Sequence, residues 1–354
     1  MRWVPGAMIV CSVVFELLTP AQYAATPLFA VACVTAGAIL RLSGTAWTVA
    51  VAVCATVVLA VFQDRWGHIA GTAELADVAA AGLAAFWVNW LVARQRSRLA
   101  VARGVAEEMQ RVLLPPPPGV LGGLEIAARY EAAQAEARVG GDFYAVQETP
   151  FGLRMILGDV RGKGLGAVAT VSTLTGAFRE GAGRASDLPA LAERLEDALD
   201  REKQRNAEVE SRFATAILAE VPRGAGSRLV LLNRGHPAVY LVADGRVRAL
   251  LPPESALPLG MRDLADSDVV PMAVEFPVDA LLVMVTDGVT EARDSRGEFY
   301  DPQLTLAGLA SPCGAQEAVD ALSADAVRWE HGPAADDRAI LAVRRAAVTP
   351  RDEV

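Results

Sequence analysis

Cysteine is scarce in this sequence of 354 residues, and the few that occur follow no pairing pattern. The cysteines are Cys11, Cys33, Cys54 and Cys313, and no CxxC motif is present. The first three lie in apolar segments and the fourth stands alone. A disulfide scaffold or a cysteine-based zinc site is therefore not expected, and a reducing compartment is compatible with this composition.

Basic residues are also in deficit. The chain has 33 lysines and arginines against 42 aspartates and glutamates, which gives a formal net charge of −9. A protein that binds nucleic acid needs a basic face for the phosphate backbone. The charge balance therefore argues against nucleic acid as a partner.

Charge of either sign is rare in the first quarter of the chain. Residues 1–90 carry only three basic and four acidic side chains, and residues 91–354 carry the rest. A charge-poor segment followed by one of ordinary composition is typical of a membrane module joined to a soluble module. We expect the transmembrane module to occupy residues 1–93.

This first module contains stretches that are apolar enough to suggest about four transmembrane helices. The last two stretches have the length to span a bilayer, whereas the first two have 15 residues each. A cleaved signal peptide is a competing interpretation of the first stretch. The stretches are Val4–Leu18, Thr26–Leu40, Ala46–Phe62 and Leu75–Ala93.

The distribution of arginine predicts how the chain is oriented. A cluster from Arg94 to Arg103 directly follows the last apolar stretch. Because basic residues flank membrane segments on the cytoplasmic side, the cluster places the soluble module in the cytoplasm. We therefore expect a multi-pass protein of the cell membrane, in contact with membrane lipid, whose soluble domain is cytoplasmic.

A helical linker is expected over residues 94–118. Apolar side chains recur at alternating spacings of three and four residues, which is the seam of a short coiled coil and allows a homodimer. Packing against the soluble domain would explain the same pattern. The run Pro115–Pro118 then ends the helix, because proline lacks an amide donor. The seam consists of Leu99, Ala102, Ala106, Met109 and Leu113.

The soluble domain, expected over 119–345 with a short tail at 346–354, mixes strand-like and helix-like segments. Strands outnumber helices, and the helices follow one another in pairs. This order favours an α+β fold, a β-sandwich of largely antiparallel sheets flanked by helices, over a doubly wound parallel sheet. Strands are predicted at Leu124–Tyr130, Gly141–Val146, Leu153–Val160, Phe213–Val221, Arg228–Asn233, Ala238–Val242, Ala280–Thr286 and Arg338–Val343, and helices at Gly166–Gly181, Leu188–Lys203, Pro302–Ala310 and Ala315–Trp329.

Aspartates stand at the ends of several predicted strands, next to glycine or to another aspartate. A carboxylate at a strand end is held on a rigid element, and a neighbouring glycine leaves room for other ligands. Carboxylates that converge without cysteine or histidine form an oxygen site suited to Mg²⁺ or Mn²⁺. Two such ions about 3.5–4 Å apart can clamp a phosphate and make hydroxide from bound water. The residues are Asp142, Asp159, Asp287, Asp336 and Asp337.

Any one of these motifs alone would indicate a turn, since Asp-Gly is a common turn signal. Their occurrence together, each beside an apolar strand, favours a metal site. With their neighbours they resemble the PPM (protein phosphatase 2C-like) superfamily, in its bacterial stage-II-sporulation-E branch. The matching segments are Leu113–Pro116, Gly140–Tyr144, Gly158–Gly164, Asn233–Pro237, Leu257–Gly260, Thr286–Glu291 and Asp336–Leu341.

The resemblance implies a metal-dependent phosphatase that acts on phosphoserine or phosphothreonine in a protein, of the anti-sigma-factor antagonist type. It implies a site of two metal ions in which Asp159 bridges both. Asp142 and the carbonyl of Val160 would serve one ion, and Asp287 and Asp336 the other, with Asp337 nearby. A metal-bound hydroxide would attack phosphorus, so Asp142, Asp159 and Asp287 are the catalytic candidates.

Two departures from the family pattern stand out. The family usually reads Asn-Ala-Gly-His-Pro where this chain has Arg234, and Arg161 occupies the place of a histidine that acts as general acid in eukaryotic relatives. No general acid is therefore evident, and we expect His236 to be structural. The alternative function is a catalytically inactive signalling receptor or scaffold on the same fold. It is disfavoured because none of the metal carboxylates is missing.

Overall fold

The computed structural model describes residues 3–19, 25–66, 68–133, 140–205, 212–224, 226–252, 256–264, 270–309, 312–331, 334 and 336–346. The chain forms two compact units, residues 1–101 and 102–354, with the division inside one long helix. The predicted tail lies outside the described residues from 347 onward. Each unit is considered by itself.

The first unit is helical. Its helices are α1 (Val4–Leu18), α2 (Thr26–Ile39), α3 (Leu42–Phe62) and the first part of α4 (Ile69–Leu113). Two helical segments, Leu42–Phe62 and Gly71–Ser97, are long and apolar enough to cross a membrane, while α1 and α2 are shorter. Large apolar side chains of this unit, including Trp47, Phe62, Leu83 and Trp87, face outward. An outward apolar surface on helices of this length is what a lipid environment requires.

A buried ionic network joins the helices of this unit. Arg65, just after α3, forms ion pairs with Glu16 of α1 and Glu74 of α4. Glu16 also accepts a hydrogen bond from the backbone amide of Ala25, before α2, at 3.1 Å. A charge among apolar helices needs a partner, and here one arginine serves two carboxylates.

The long helix α4 ends at Leu113, directly before Leu114 and the proline run, as the sequence predicts. The side chains of the predicted seam up to residue 112 lie outside the described part of the structure. At the end of the helix, Tyr144 donates a hydrogen bond to the carbonyl of Leu114 at 3.2 Å. Arg179 donates another to the carbonyl of Leu113 at 3.3 Å.

The second unit is built on two antiparallel sheets. One has the strand order β1-β2-β11-β10-β7-β8 and the other the order β3-β4-β5-β6-β9. The strands are β1 (Val120–Leu121), β2 (Leu124–Glu131), β3 (Asp142–Thr149), β4 (Gly152–Val160), β5 (Ala214–Pro222), β6 (Arg228–Arg234), β7 (Val239–Ala243), β8 (Arg246–Leu250), β9 (Met272–Glu275), β10 (Leu281–Val285) and β11 (Arg338–Arg344).

Helices cover the sheets on both outer faces. α5 (Leu165–Gly181) and α6 (Leu188–Arg205) contact the five-stranded sheet, and α8 (Pro302–Ala307) and α9 (Ala315–Glu330) contact the six-stranded one. A single turn, α7 (Asp287–Thr290), follows β10. The larger apolar core joins residues of both sheets, such as Phe143, Met155, Leu282 and Leu341. The predicted α+β sandwich flanked by helices is confirmed.

One buried arginine ties the five-stranded sheet to its helices. Arg154 of β4 is fully buried and pairs with Glu220 of β5 at 2.6 Å. It also donates hydrogen bonds to the carbonyls of Ala182 and Ala185, between α5 and α6. All the predicted strands and helices are present, but β1, β8, β9 and α7 were not predicted. These elements have two to five residues, and none of them carries a continuous apolar run such as that of β10.

Candidate metal centre

Two of the predicted aspartates meet across neighbouring strands. Asp142 is the first residue of β3, Asp159 is the last but one of β4, and the two are direct partners in the antiparallel register. Side chains of directly opposed residues project to the same face of a sheet. Pairing of the strands therefore brings together two carboxylates that are separated by a hairpin in the sequence.

A glycine makes room beside this pair. A Cβ atom on Gly141 would collide with the carbonyl oxygen of Val160 and with Oδ1 of Asp159. The backbone amide of Val160 donates to the carbonyl of Gly141 at 3.0 Å, which holds the two strand ends together. The absence of a side chain on Gly141 thus leaves space beside the carbonyl oxygen of Val160 and Oδ1 of Asp159.

The other sheet contributes the third carboxylate. β10 ends at Val285, and Asp287 begins the turn of α7 two residues later. Between them, Thr286 donates from Oγ1 to Oδ2 of Asp142 at 2.6 Å and accepts from the amide of Ala339 at 2.8 Å. This buried threonine therefore connects the two sheets at the site.

The outcome is a compact group of oxygen ligands. Ligand atoms of Asp142, Asp159 and Asp287 all lie within 4.8 Å of one another. The three residues come from two sheets and are separated by up to 145 positions. A set of carboxylate oxygens at this spacing suits a hard divalent cation.

Asp336 and Asp337 stand next to this group but have partners of their own. Asp336 is 57% exposed and pairs with Lys163, on the loop after β4, at 2.9 Å. Asp337 is buried and accepts from the amide of Ala133 at 2.8 Å. Of the predicted ligands, the structure thus brings Asp142, Asp159 and Asp287 into one group and leaves these two at its border.

Burial and mutual repulsion alter the protonation of the group. Burial, and then the charge of Asp159, raise the pKa of Asp142 well above its usual range. Burial and the charge of Asp287 raise the pKa of Asp159 to about 7. Burial likewise raises the pKa of Asp287 and of Asp337. Carboxylates that repel one another in a buried place are stabilised as anions by a cation.

The donor set fits Mg²⁺ or Mn²⁺. The atoms that converge are carboxylate and carbonyl oxygens, which are the ligands these ions prefer. Within the described residues no cysteine or histidine joins the group. Asp142, Asp159, Asp287 and the carbonyl of Val160 are the residues that could hold such an ion.

The nearby histidine and arginine have other contacts. His236 is buried between the hydroxyl of Thr215 and the carbonyl of Val285, each 3.1 Å from a ring nitrogen. Burial lowers the pKa of His236 to about 3, so the ring is neutral near pH 7. The Arg161 guanidinium lies 5.2 Å from the ring centre of Phe213. The described side-chain contacts of these two residues are thus with Thr215, Val285 and Phe213 and not with the carboxylate group.

Sequence reasoning missed Thr286 and Lys163 as residues of the site. Thr286 was detectable as a hydroxyl residue directly before Asp287 at the end of an apolar strand. Lys163 lies among glycines after Asp159, where the sequence does not reveal that its ammonium reaches Asp336.

Arg234, which differs from the alanine usual in the family pattern, has a buried ion-pair partner. Arg234 is buried, forms an ion pair with the fully buried Glu196 of α6, and donates from Nε to the carbonyl of Leu257 at 2.6 Å. Glu196 also accepts from the amide of Gly260 at 2.6 Å. The pair thus joins the end of β6, helix α6 and the segment before β9.

Replacing Arg234 with alanine, the residue usual in the family, is expected to destabilise the protein by about 3–5 kcal/mol, because Glu196 would remain buried without its counter-charge. Denaturant unfolding of the purified chain measures this loss. The same change made in a Glu196→Gln background should cost less by about 0.5–3 kcal/mol, the range of coupling energies between contacting residues. Equal costs in both backgrounds would show that the pair does not contribute.

Comparisons with known proteins agree with this geometry. The sequence model of the stage II sporulation protein E (SpoIIE) family matches residues 149–346, more than half of the chain. The SiaA PP2C domain of Pseudomonas aeruginosa has a similar fold, with a TM-score of 0.57 and 20% identity, over 71% of this chain and 98% of that one.

Two further solved structures are similar over part of their length. The RsbU and RsbW domains of a Mycobacterium tuberculosis protein match with a TM-score of 0.52 and 25% identity, over 64% of this chain and 61% of that one. The PP2C phosphatase domain of SpoIIE from Bacillus subtilis, with a fragment of its regulatory domain, matches with a TM-score of 0.52 and 18% identity, over 62% and 63%. The chain therefore belongs to the stage II sporulation protein E family, which comprises PP2C-type, metal-dependent protein-serine/threonine phosphatases.

Proposed function

We propose that this chain is a membrane-anchored phosphatase that removes phosphate from phosphoserine or phosphothreonine in a protein substrate, with Mn²⁺ or Mg²⁺ held by Asp142, Asp159 and Asp287. The observation that carries the proposal is the convergence of these three aspartates, from two sheets, within 4.8 Å. Buried carboxylates placed together do not stabilise the fold, because each one raises the cost of ionising the others. A bound cation would offset that cost.

The residues around the centre would contribute to metal binding in different ways. Asp159 opposes Asp142 across the β3–β4 ladder and is close enough to Asp287 for their charges to repel, so it would be the carboxylate that both neighbours share. Thr286 orients Asp142 through its 2.6 Å hydrogen bond, and Gly141 keeps the Val160 carbonyl accessible. Ions bound here would supply charge for the phosphate oxygens and a nucleophile from water. Asp336 and Asp337 would complete the second ion's surroundings.

A cavity of about 360 Å³ borders the centre at Asp287, and a substrate phosphate could enter there. Asp287, Gly288, Asp336 and Glu330 line it. The family resemblance favours a small phosphoprotein of the anti-sigma-factor antagonist type. An RsbU domain that shares a chain with an RsbW domain, in the Mycobacterium tuberculosis protein, is consistent with such a pathway.

Anchoring in the membrane is supported by the two long apolar helical segments and by their outward apolar side chains. Arg94 and Arg96 lie at the C-terminal end of the second segment, Gly71–Ser97, and are exposed, as expected of a cytoplasmic flank. The domains would then be a transmembrane module at 1–93, a linker at 94–118, through which two copies could pair, and a phosphatase domain at 119–345.

The test uses the full chain reconstituted into lipid vesicles. We expect vesicles carrying the chain to release phosphate from p-nitrophenyl phosphate and from a phosphoserine protein when Mn²⁺ is present. Activity should disappear with a chelator and return when Mn²⁺ is added in excess, because the carboxylates alone provide no nucleophile.

Two results would contradict the proposal. Phosphate release that persists in chelator would exclude a metal-dependent mechanism. A chain that releases no phosphate and shows no saturable Mn²⁺ binding would favour the inactive receptor or scaffold. The described carboxylates disfavour that second function, because a fold kept only as a scaffold has no use for this buried acidic group.

A further inference from the structure

Two segments of the six-stranded sheet that carry candidate metal ligands, the turn after β10 and the start of β11, are in close contact. Gly288 follows Asp287, and a Cβ atom on it would collide with the carbonyl oxygen of Asp337. The same hypothetical atom would lie 3.3 Å from Cγ of Arg338. The turn after β10 and the start of β11 therefore touch at a point that lies beside the carboxylates of both segments.

The buried side chain of Arg338 links the start of β11 to the turn after β10. This side chain is 1% exposed, and Nε donates to the carbonyl of Gly288 at 2.9 Å. On the other side of Asp287, the hydroxyl of Thr286 accepts from the amide of Ala339 at 2.8 Å. Asp287 is thus bracketed by two hydrogen bonds from consecutive residues of β11.

The charge of Arg338 is balanced by a glutamate at a helix end. Its Nη2 lies 2.5 Å from Oε2 of Glu330, whose side chain is 8% exposed and which is the last residue of α9. A negative charge is unfavourable at the C-terminus of a helix, where the carbonyl dipoles are also negative. Among the described residues neither Nη1 nor Nη2 of Arg338, nor Oε2 of Glu330, has a hydrogen bond of good geometry, so the two charges lie close together but the pair is incompletely satisfied.

An incompletely satisfied buried ion pair adds little to stability, because desolvation offsets the attraction. Its effect is geometric, since the planar guanidinium fixes the distance between Gly288 and Glu330. Both ends border the cavity that Asp287 and Asp336 also line. The pair therefore connects the end of α9 to the edge of the metal centre.

We propose that Arg338, held by Glu330, is a positioning residue that places Asp287 for metal binding. The inference rests on the proposed metal centre. Partners that orient metal ligands typically change metal affinity by about 10–100-fold when they are lost. Arg338 contacts Gly288 and Glu330 and makes no hydrogen bond to the three grouped carboxylates, so its loss should weaken Mn²⁺ binding through the displacement of Asp287.

The experiment titrates Mn²⁺ into the metal-free full chain in detergent, by calorimetry. Arg338→Met should weaken binding by at least about tenfold. Arg338→Lys should recover part of this, since an ammonium pairs with Glu330 but lacks the guanidinium fork. Glu330→Gln keeps the shape of the glutamate and should weaken binding less than Arg338→Met does.

Arg154→Met is the matched control. It removes an equally buried arginine with a glutamate partner, in contact with the α5–α6 connection and not with the carboxylate group. This variant should lose thermal stability and bind Mn²⁺ as the unmodified chain does. The two arginine variants therefore separate general destabilisation from an effect on the site.

The outcomes are distinct. Failure of the unmodified chain to bind Mn²⁺ would overturn the proposed function. Normal binding by the unmodified chain, with equal affinity in Arg338→Met and Arg154→Met, would overturn only the role of Arg338. If Arg338→Met does not fold, unchanged affinity in both Arg338→Lys and Glu330→Gln would overturn that role.

Discussion

Replacing Asp159 with asparagine is expected to lower phosphatase activity by at least about 100-fold, the loss that follows removal of one electrostatic contact to a transition state. Asp159 is the central carboxylate of the group, since its strand partner is Asp142 and its pKa is raised by Asp287. Asparagine has nearly the same shape but no charge, so the change tests the charge itself. Initial rates of p-nitrophenyl phosphate hydrolysis at saturating Mn²⁺ measure the effect.

Asp244→Asn provides a matched control for this substitution. Asp244 is exposed in the turn between β7 and β8, with a φ of 52° that asparagine also adopts readily. Its replacement should leave the rate unchanged. Asp287→Asn should cause a loss comparable to that of Asp159→Asn, because both belong to the same group. Activity that survives in both site variants would show that the metal centre lies elsewhere.

The metal-free protein is expected to lose stability as the pH rises from about 4 to about 7. The pKa of Asp159 is raised to about 7 in the folded chain, against about 3.9 in an unfolded one. The folded state therefore holds a proton that the unfolded state releases over this window, and stability falls as the pH increases. For Asp159 alone the loss across the window is on the order of 4 kcal/mol.

Thermal unfolding of the full chain in detergent, with a chelator present, measures this dependence. The unfolding midpoint should be higher at pH 5.5 than at pH 7.5. Addition of Mn²⁺ at pH 7.5 should raise the midpoint again. A free Mn²⁺ concentration of 100 times the dissociation constant adds about 2.7 kcal/mol to the free energy of unfolding. Asp159→Asn should flatten the pH dependence, and Asp244→Asn should not. A midpoint that rises between these pH values in chelator would contradict the assignment.

Much of the fold could be read from local patterns. The alternation and apolar runs of the predicted strands match β2–β7, β10 and β11 to within a few residues, and the proline run marks the end of α4. Charge depletion in the first quarter separates the helical unit from the rest. The aspartates at strand ends were also visible in the sequence, because a carboxylate beside a glycine marks the point where an apolar run stops.

Contacts across the sandwich were not visible in the sequence. The hydrogen bond between Thr286 and Asp142 joins residues 144 positions apart, and the pairs Arg234–Glu196 and Arg338–Glu330 join a strand end to a helix. No periodicity encodes such contacts, since they arise only when separate elements pack together. The arginine at position 234 therefore looked like an anomaly until its buried partner was known.

The sequence by itself determined which residues form strands and helices, and that carboxylates stand where strands end, because both depend on the chemistry of near neighbours. Tertiary packing alone decided which carboxylates meet. It grouped Asp142, Asp159 and Asp287 within 4.8 Å, and left Asp336 paired with Lys163 at the border. The distance between two side chains on different sheets depends on register and sheet packing, and neither is written in any short stretch of residues.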